Sequence, residues 1–255
     1  MQRTSDAIVL TQADVKVLGE DDFGVPGLVA HEWLGPFVDL QAVGPLIMVH
    51  DGVFDPHKGI THHPHRFNER LFYILEGVVE HDDALNAIQG RMETGDLGRL
   101  TEGARGMYHK EWNVTDGRAR AFILVYGCDP VPPRASFRVL RDSDAPRYHE
   151  AEGVRTKEMV GPKAEFPLHG DVRWFTDSWV DAGADVLLEL GEGEGGLIFP
   201  VEGEVAVDGE RLDPEAMAVF PPSLDPRSPR ILSPEGARIL RVVFGLGDGL
   251  FVRSG

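Results

Sequence analysis

Apolar residues along the chain come in short, punctuated runs. "PLIMVHDGVF" (45–54), "RLFYILEGVVEH" (70–81), "ARAFILVYG" (119–127), "DVLLEL" (185–190), "GLIFPVEGEVAVDG" (196–209), "MAVFPP" (217–222) and "ARILRVVFG" (237–245) are rich in Val, Ile, Leu and Phe. Each stops near Gly, Pro or Asp. Runs of this length and composition predict strands, spaced as in an all-β protein. "SDAPRYHEAE" (143–152) is the stretch where a short helix is expected. Thirty Gly and eighteen Pro in 255 residues agree with many turns and few helices.

Two of the runs resemble each other. "LFYILEGVVEH" starts at Leu71 and "LIFPVEGEVAV" at Leu197, an offset of 126 that sets Glu76-Gly77 against Glu202-Gly203. In both, an apolar strand reaches a Glu-Gly turn and a second strand follows. A repeat at half the chain length predicts a duplicated all-β domain. "DPVPPRASF" (129–137), with three prolines, reads as the linker, giving domains of 1–133 and 134–255.

The formal charge of −17 argues against binding a phosphate backbone, which needs clustered Lys and Arg. It leaves protein partners open. The one cysteine, Cys128, allows no intramolecular disulfide and fits a reducing compartment. "MQRTSDAIVLTQADV" has no basic segment followed by a long apolar one, and no run approaches the ~20 apolar residues of a membrane span. A soluble cytoplasmic protein is expected. "GEGEGG" contains Gly191, Gly193 and Gly196 in a dinucleotide-type spacing. The strand-like "LIFPVEGEV" follows it where a nucleotide site needs a helix, so a strand-to-strand turn is expected.

The chemistry concentrates in "HHPHRFNER" (62–70). His63 and His65 are two apart, so on a strand they share a face, with Cβ atoms roughly 7 Å apart. "GMYHKEWN" offers a second such pair, His109 and Glu111. Two adjacent strands presenting these pairs inward would make a donor set of three nitrogens and one oxygen. That set suits a borderline divalent metal rather than Ca²⁺. Glu69, four positions beyond His65, is a further acidic candidate. His57 and His62 flank the cluster. His31, His50, His81, His149 and His169 are expected at the surface or in packing, and Trp112 and Asn113 either line the pocket or pack.

These residues resemble the pirin family of bicupins. The matching features are His63-Pro64-His65-Arg66, Glu69, Tyr73-Ile74-Leu75-Glu76-Gly77, Gly95-Asp96, Thr101 to Gly106, and His109-Lys110-Glu111. The resemblance implies two tandem cupin-type β-barrels with few short helices. It also implies a mononuclear iron site in the first barrel, on His63, His65, His109 and Glu111, with Mn, Ni, Cu or Zn as alternatives to Fe(II). Glu69 would stand beside the metal rather than on it, and Glu111 could leave it to act as a general base. Two functions follow: a dioxygenase taking O₂ and a flavonol such as quercetin or a related polyphenol, or a non-enzymatic iron-dependent regulator that binds protein partners. This chain departs from the family at Phe67-Asn68, where Gly-Phe is usual, and by one extra residue in "TEGARG". Both changes fall near the expected pocket mouth and bear on substrate identity. The second half sets Glu189, Gly191 and Gly195 against His63, His65 and Glu69, so no catalytic metal is expected there.

Overall fold

A computed structural model describes residues 2–3 and 6–247. Residues 1, 4, 5 and 248–255 of the two expected halves lie outside the described residues. Apart from the one-turn helix Glu20–Phe23, the regular elements are strands, in sheets of eight, seven, four and four. The all-β, two-barrel architecture expected from the sequence holds. No helix among the described residues is long and apolar enough to cross a membrane.

The repeat is visible in the backbone. Strands Asn68–Glu76 and Glu194–Glu202 are both nine residues long, offset by the same 126 positions, with the same sequence of buried and exposed sites. Each ends at a left-handed glycine, Gly77 at φ 77° and Gly203 at φ 74°. A Cβ at either would strike a backbone carbonyl, that of Arg118 or of Gly236. Glycine is therefore required twice, for the backbone angle and for the close approach.

The long apolar runs are explained by burial on both faces. Along Asn68–Glu76, Phe72 and Ile74 enter the core of the first barrel, while Leu71, Tyr73 and Leu75 enter a second core between the barrels. Ala119–Gly127 divides likewise: Ala121, Ile123 and Val125 point inward and Phe122, Leu124 and Tyr126 outward. From the other side Phe175, Phe199, Leu240, Val242 and Phe244 complete this seam. The second barrel has its own interior around Val186, Leu188, Ile198, Ile231 and Ile239.

Strand exchange ties the halves together. Ile8–Leu10 pairs with Met217–Ser223 in the eight-stranded sheet. Ser136–Leu140, which begins inside the expected linker, pairs with Leu97–Thr101 in the seven-stranded sheet. "GEGEGG" is a turn leading into Glu194–Glu202, as expected. The helix expected at 143–152 is instead a turn and the strand Arg147–Ala151, paired with Val154–Val160. Pro146 lacks the amide a helix interior needs, and edge-strand pairing supplies the backbone with partners.

Several polar groups buried in the seam are held in pairs. Tyr73 donates its hydroxyl to Asp177 Oδ2 at 2.5 Å, and Arg238 holds the same oxygen at 2.8 Å. Burial and Asp177 push the Tyr73 hydroxyl up, so it remains a donor. Lys157, 1% exposed, donates to Gly95 O and to Asp142 Oδ1. Asp177→Ala would strand Tyr73 and Arg238 together. The expected cost is about 3 kcal/mol, at the low end for a broken buried pair because Arg238 keeps some contact with water. Denaturant unfolding measures it, and a cost below about 1 kcal/mol would show that the seam does not depend on this acid.

Candidate metal centre

The candidate residues come from three neighbouring strands of one four-stranded sheet: Gly59–His65, Met107–Trp112 and Val78–Asp83. Antiparallel pairing sets His63 opposite His109, and His81 opposite Glu111. His109 and Glu111, two apart on their strand, share a face, and the register shift beside them places the extra residue on Gly59–His65, between Ile60 and His63. The ring centroids of His63, His65 and His109 lie 4.6–5.1 Å apart, with His63–His65 at 4.7 Å.

Two overlapping donor groups result. One ligand atom each from His63, His65 and His109 lie within 4.8 Å of one another, as do atoms from His81, His109 and Glu111. His109 belongs to both. Glu111 is 2% exposed and His109 fully buried, while His63 and His65 are half-buried and form the more open wall.

The hydrogen bonding fits a cation. His63 Nδ1 donates to Thr61 O at 2.8 Å, which leaves Nε2 with its lone pair free. Neither ring nitrogen of His109 makes a hydrogen bond although both are buried. His109 Nδ1 does lie 2.7 Å from Glu111 Oε1, but out of line for a hydrogen bond. Donor atoms ~2.1 Å from one ion stand roughly 3 Å apart in adjacent positions, and this nitrogen and oxygen have that separation.

Electrostatics points the same way. Burial lowers the His63 imidazole below its ordinary range, and burial with the Arg70 charge lowers His65 to about 2, so both are neutral at pH 7. Burial alone would raise the Glu111 carboxyl, but His109 and His81 outweigh it and hold the group well below the usual range. The site thus offers neutral imidazoles and an ionised carboxylate.

Sequence reasoning missed two neighbours. His81, expected in packing, is 2% exposed; its Nδ1 lies 3.0 Å from Glu111 Oε1 and its ring stacks on Phe137. Its Nε2 is buried without a partner. The available signal was alternation: Val79, His81 and Asp83 occupy the buried phase of their strand. Arg70 is the second, with Nη2 2.8 Å from His65 Nδ1 and Nε 2.6 Å from Glu102.

Glu69 does not join the donors. It accepts from Thr101 Oγ1 at 2.6 Å, Tyr126 OH at 2.9 Å and the His169 amide at 2.8 Å. The reason is strand alternation: Arg70 shares the inward face with Phe72, whereas Glu69 shares the seam face with Leu71 and Tyr73. His57 and His62 pair with Asp116 and Asp82. Asn113 is a buried turn clamp, donating to the carbonyls of Phe54, Asp55 and Gly117. Trp112 is half-buried. A recess of about 670 Å³ opens beside Phe67, Val131 and Leu168, and its lining includes none of the candidate ligands.

The chain as a whole is similar to known proteins. The Pirin family model matches residues 24–124. A Caulobacter vibrioides pirin-like protein is 27% identical over 180 residues, 67% of this chain and 72% of that protein. A Pseudomonas aeruginosa protein provisionally named quercetin 2,3-dioxygenase is 29% identical over 165 residues, 60% of this chain and 57% of that protein. The chain therefore spans little more than half the length of that relative. Among solved structures, the Escherichia coli pirin YhhW in complex with nickel(II) superposes with a TM-score of 0.72 at 16% identity, covering 91% of this chain and 99% of that one.

Two predictions follow from the geometry. In chelator-treated protein, the unfolded chain binds protons at His63 and His65 that the folded chain refuses. Stability should therefore fall as pH drops below the unfolded histidine value of ~6.5, and for His65 keep falling toward its folded value of about 2. Urea midpoints across that range test this; midpoints that are flat from pH 7 to pH 4 would contradict it. His81→Leu should weaken metal binding by about 10- to 100-fold, while His81→Asn, whose amide can still donate to Glu111, should lose less. Equal losses in the two variants would deny His81 a role in holding Glu111.

Proposed function

From its membership of the pirin family, we propose that this chain binds one divalent metal ion in its first barrel, through His63, His65, His109 and Glu111. The observation that carries the reading is His109, fully buried with neither ring nitrogen in a hydrogen bond, beside the neutral imidazoles of His63 and His65 and the ionised carboxylate of Glu111. Iron(II) is the ion the resemblance implies, with manganese, nickel, copper and zinc suited to the same donors. When bound, such an ion supplies Lewis acidity and, for iron, access to O₂.

The chemistry proposed is oxidative attack on an aromatic polyphenol such as the flavonol quercetin. His63 and His65, the half-buried side of the site, leave it open toward a substrate. His81 holds Glu111 Oε1, which leaves Oε2 to accept a phenolic proton. Because Glu111 is held well below the usual carboxylate range, it is a weak base, suited first to charge neutralisation and only second to proton transfer.

A metal-dependent regulator that binds a protein partner is the second reading. It is favoured by the separation of the aromatic-sized recess from the imidazoles. Metal analysis of untagged protein, followed by O₂ uptake with a panel of phenols, separates the two. The enzyme reading expects uptake that requires the metal; full loading with no uptake from any flavonol supports the regulator. His63→Ala with His65→Ala should abolish metal binding, and full occupancy in that double variant would overturn the site itself.

A further inference from the structure

We infer that Arg70 competes with the metal for His65, so that the centre loads weakly and reversibly. The inference rests on the metal reading above and deepens it. Arg70 Nη2 lies 2.8 Å from His65 Nδ1. A guanidinium has five donors, no acceptor and a permanent charge. His65 Nδ1 must therefore be the acceptor in this contact. A neutral imidazole carries a single proton, which then sits on Nε2. While Arg70 holds the ring, one nitrogen is occupied and the other presents N–H, so His65 has no free lone pair for an ion.

His63 provides the contrast within the same strand. Its Nδ1 faces the Thr61 carbonyl at 2.8 Å, an acceptor, so its Nε2 is a ready ligand. One histidine of the pair is set for metal and the other is set against it.

Arg70 is also fixed in place. Its Nε donates to Glu102 Oε1 at 2.6 Å, the side chains being 9% and 0% exposed. Glu102 is held in turn by the Asn68 amide at 2.9 Å. The anchoring atom is Nε and the contact with His65 is made by Nη2. The guanidinium can therefore give up His65 while keeping Glu102, and metal loading requires that step. Its positive charge beside a candidate ligand opposes an incoming cation independently of the hydrogen bond. Glu102 offsets that charge without removing the donor.

Nickel(II) titration of the chelator-stripped full chain, against a chromophoric competitor, tests the inference. Arg70→Leu with Glu102→Gln removes both charges and the donor to His65, while the amide oxygen at position 102 can still accept from the Asn68 N–H. This variant should bind nickel(II) at least about tenfold more tightly than the wild type. Arg70→Met is the second variant, and thermal unfolding of the metal-free proteins checks that each is folded. A readout that needs no variant is the His65 tautomer in the metal-free wild type, from ¹⁵N imidazole correlation spectra: Nε2–H is expected. An Nδ1–H tautomer, or variants that bind nickel(II) no more tightly than a binding wild type, would overturn the competition alone. Failure of both wild type and variants to bind nickel(II) would overturn the metal reading, and the competition with it.

Discussion

The register in which Gly59–His65 pairs with Met107–Trp112 is the constraint on which the centre depends. It sets His63 opposite His109, so that His109 meets His63 and His65 on one side and Glu111 on the other. Residues directly opposite have Cβ atoms roughly 5 Å apart, which is the separation two imidazoles need to share an ion. A slip of one residue would turn one strand's pair to the other face. Gly59 helps prevent it, because a Cβ there would strike the Glu111 carbonyl and the Trp112 backbone. The third strand, Val78–Asp83, completes the arrangement by setting His81 against Glu111.

Within that frame the centre is a balance of opposed charges. Burial keeps His63 and His65 neutral, and His109 and His81 hold Glu111 ionised despite its burial. A buried carboxylate beside imidazoles without full hydrogen bonding is costly by itself, and a cation would relieve that cost. Arg70 with Glu102 places a second, permanent cation next to the same site. The affinity of the centre is then set by which cation His65 serves.

The second barrel acts on the first through the seam. Asn68–Glu76 turns alternate residues to two environments, so Arg70 reaches the imidazoles while Glu69 reaches Thr101, Tyr126 and the His169 amide. One strand thus carries both a neighbour of the candidate ligands and a bolt to the C-terminal half. Tyr73, two turns of the pleat further on, makes the same connection to Asp177.

By itself the sequence determined the class and the candidate donors. Period-two spacing in "HHPH" and "YHKE" puts each donor pair on one strand face, because that alternation is a local property of an extended backbone. The apolar runs and the Glu-Gly repeat at 126 residues marked an all-β duplication for the same reason. Only the tertiary structure decided what depends on pairing. His81 looked like packing because its partner Glu111 is thirty residues away in the chain and one strand away in space. Glu69 looked close to His65 in sequence, yet the turn through Phe67 at φ 83° starts a new strand on which Glu69 faces the seam. The edge strand Arg147–Ala151 read as a helix because its ladder partner, Val154–Val160, is a matter of contact and not of local preference.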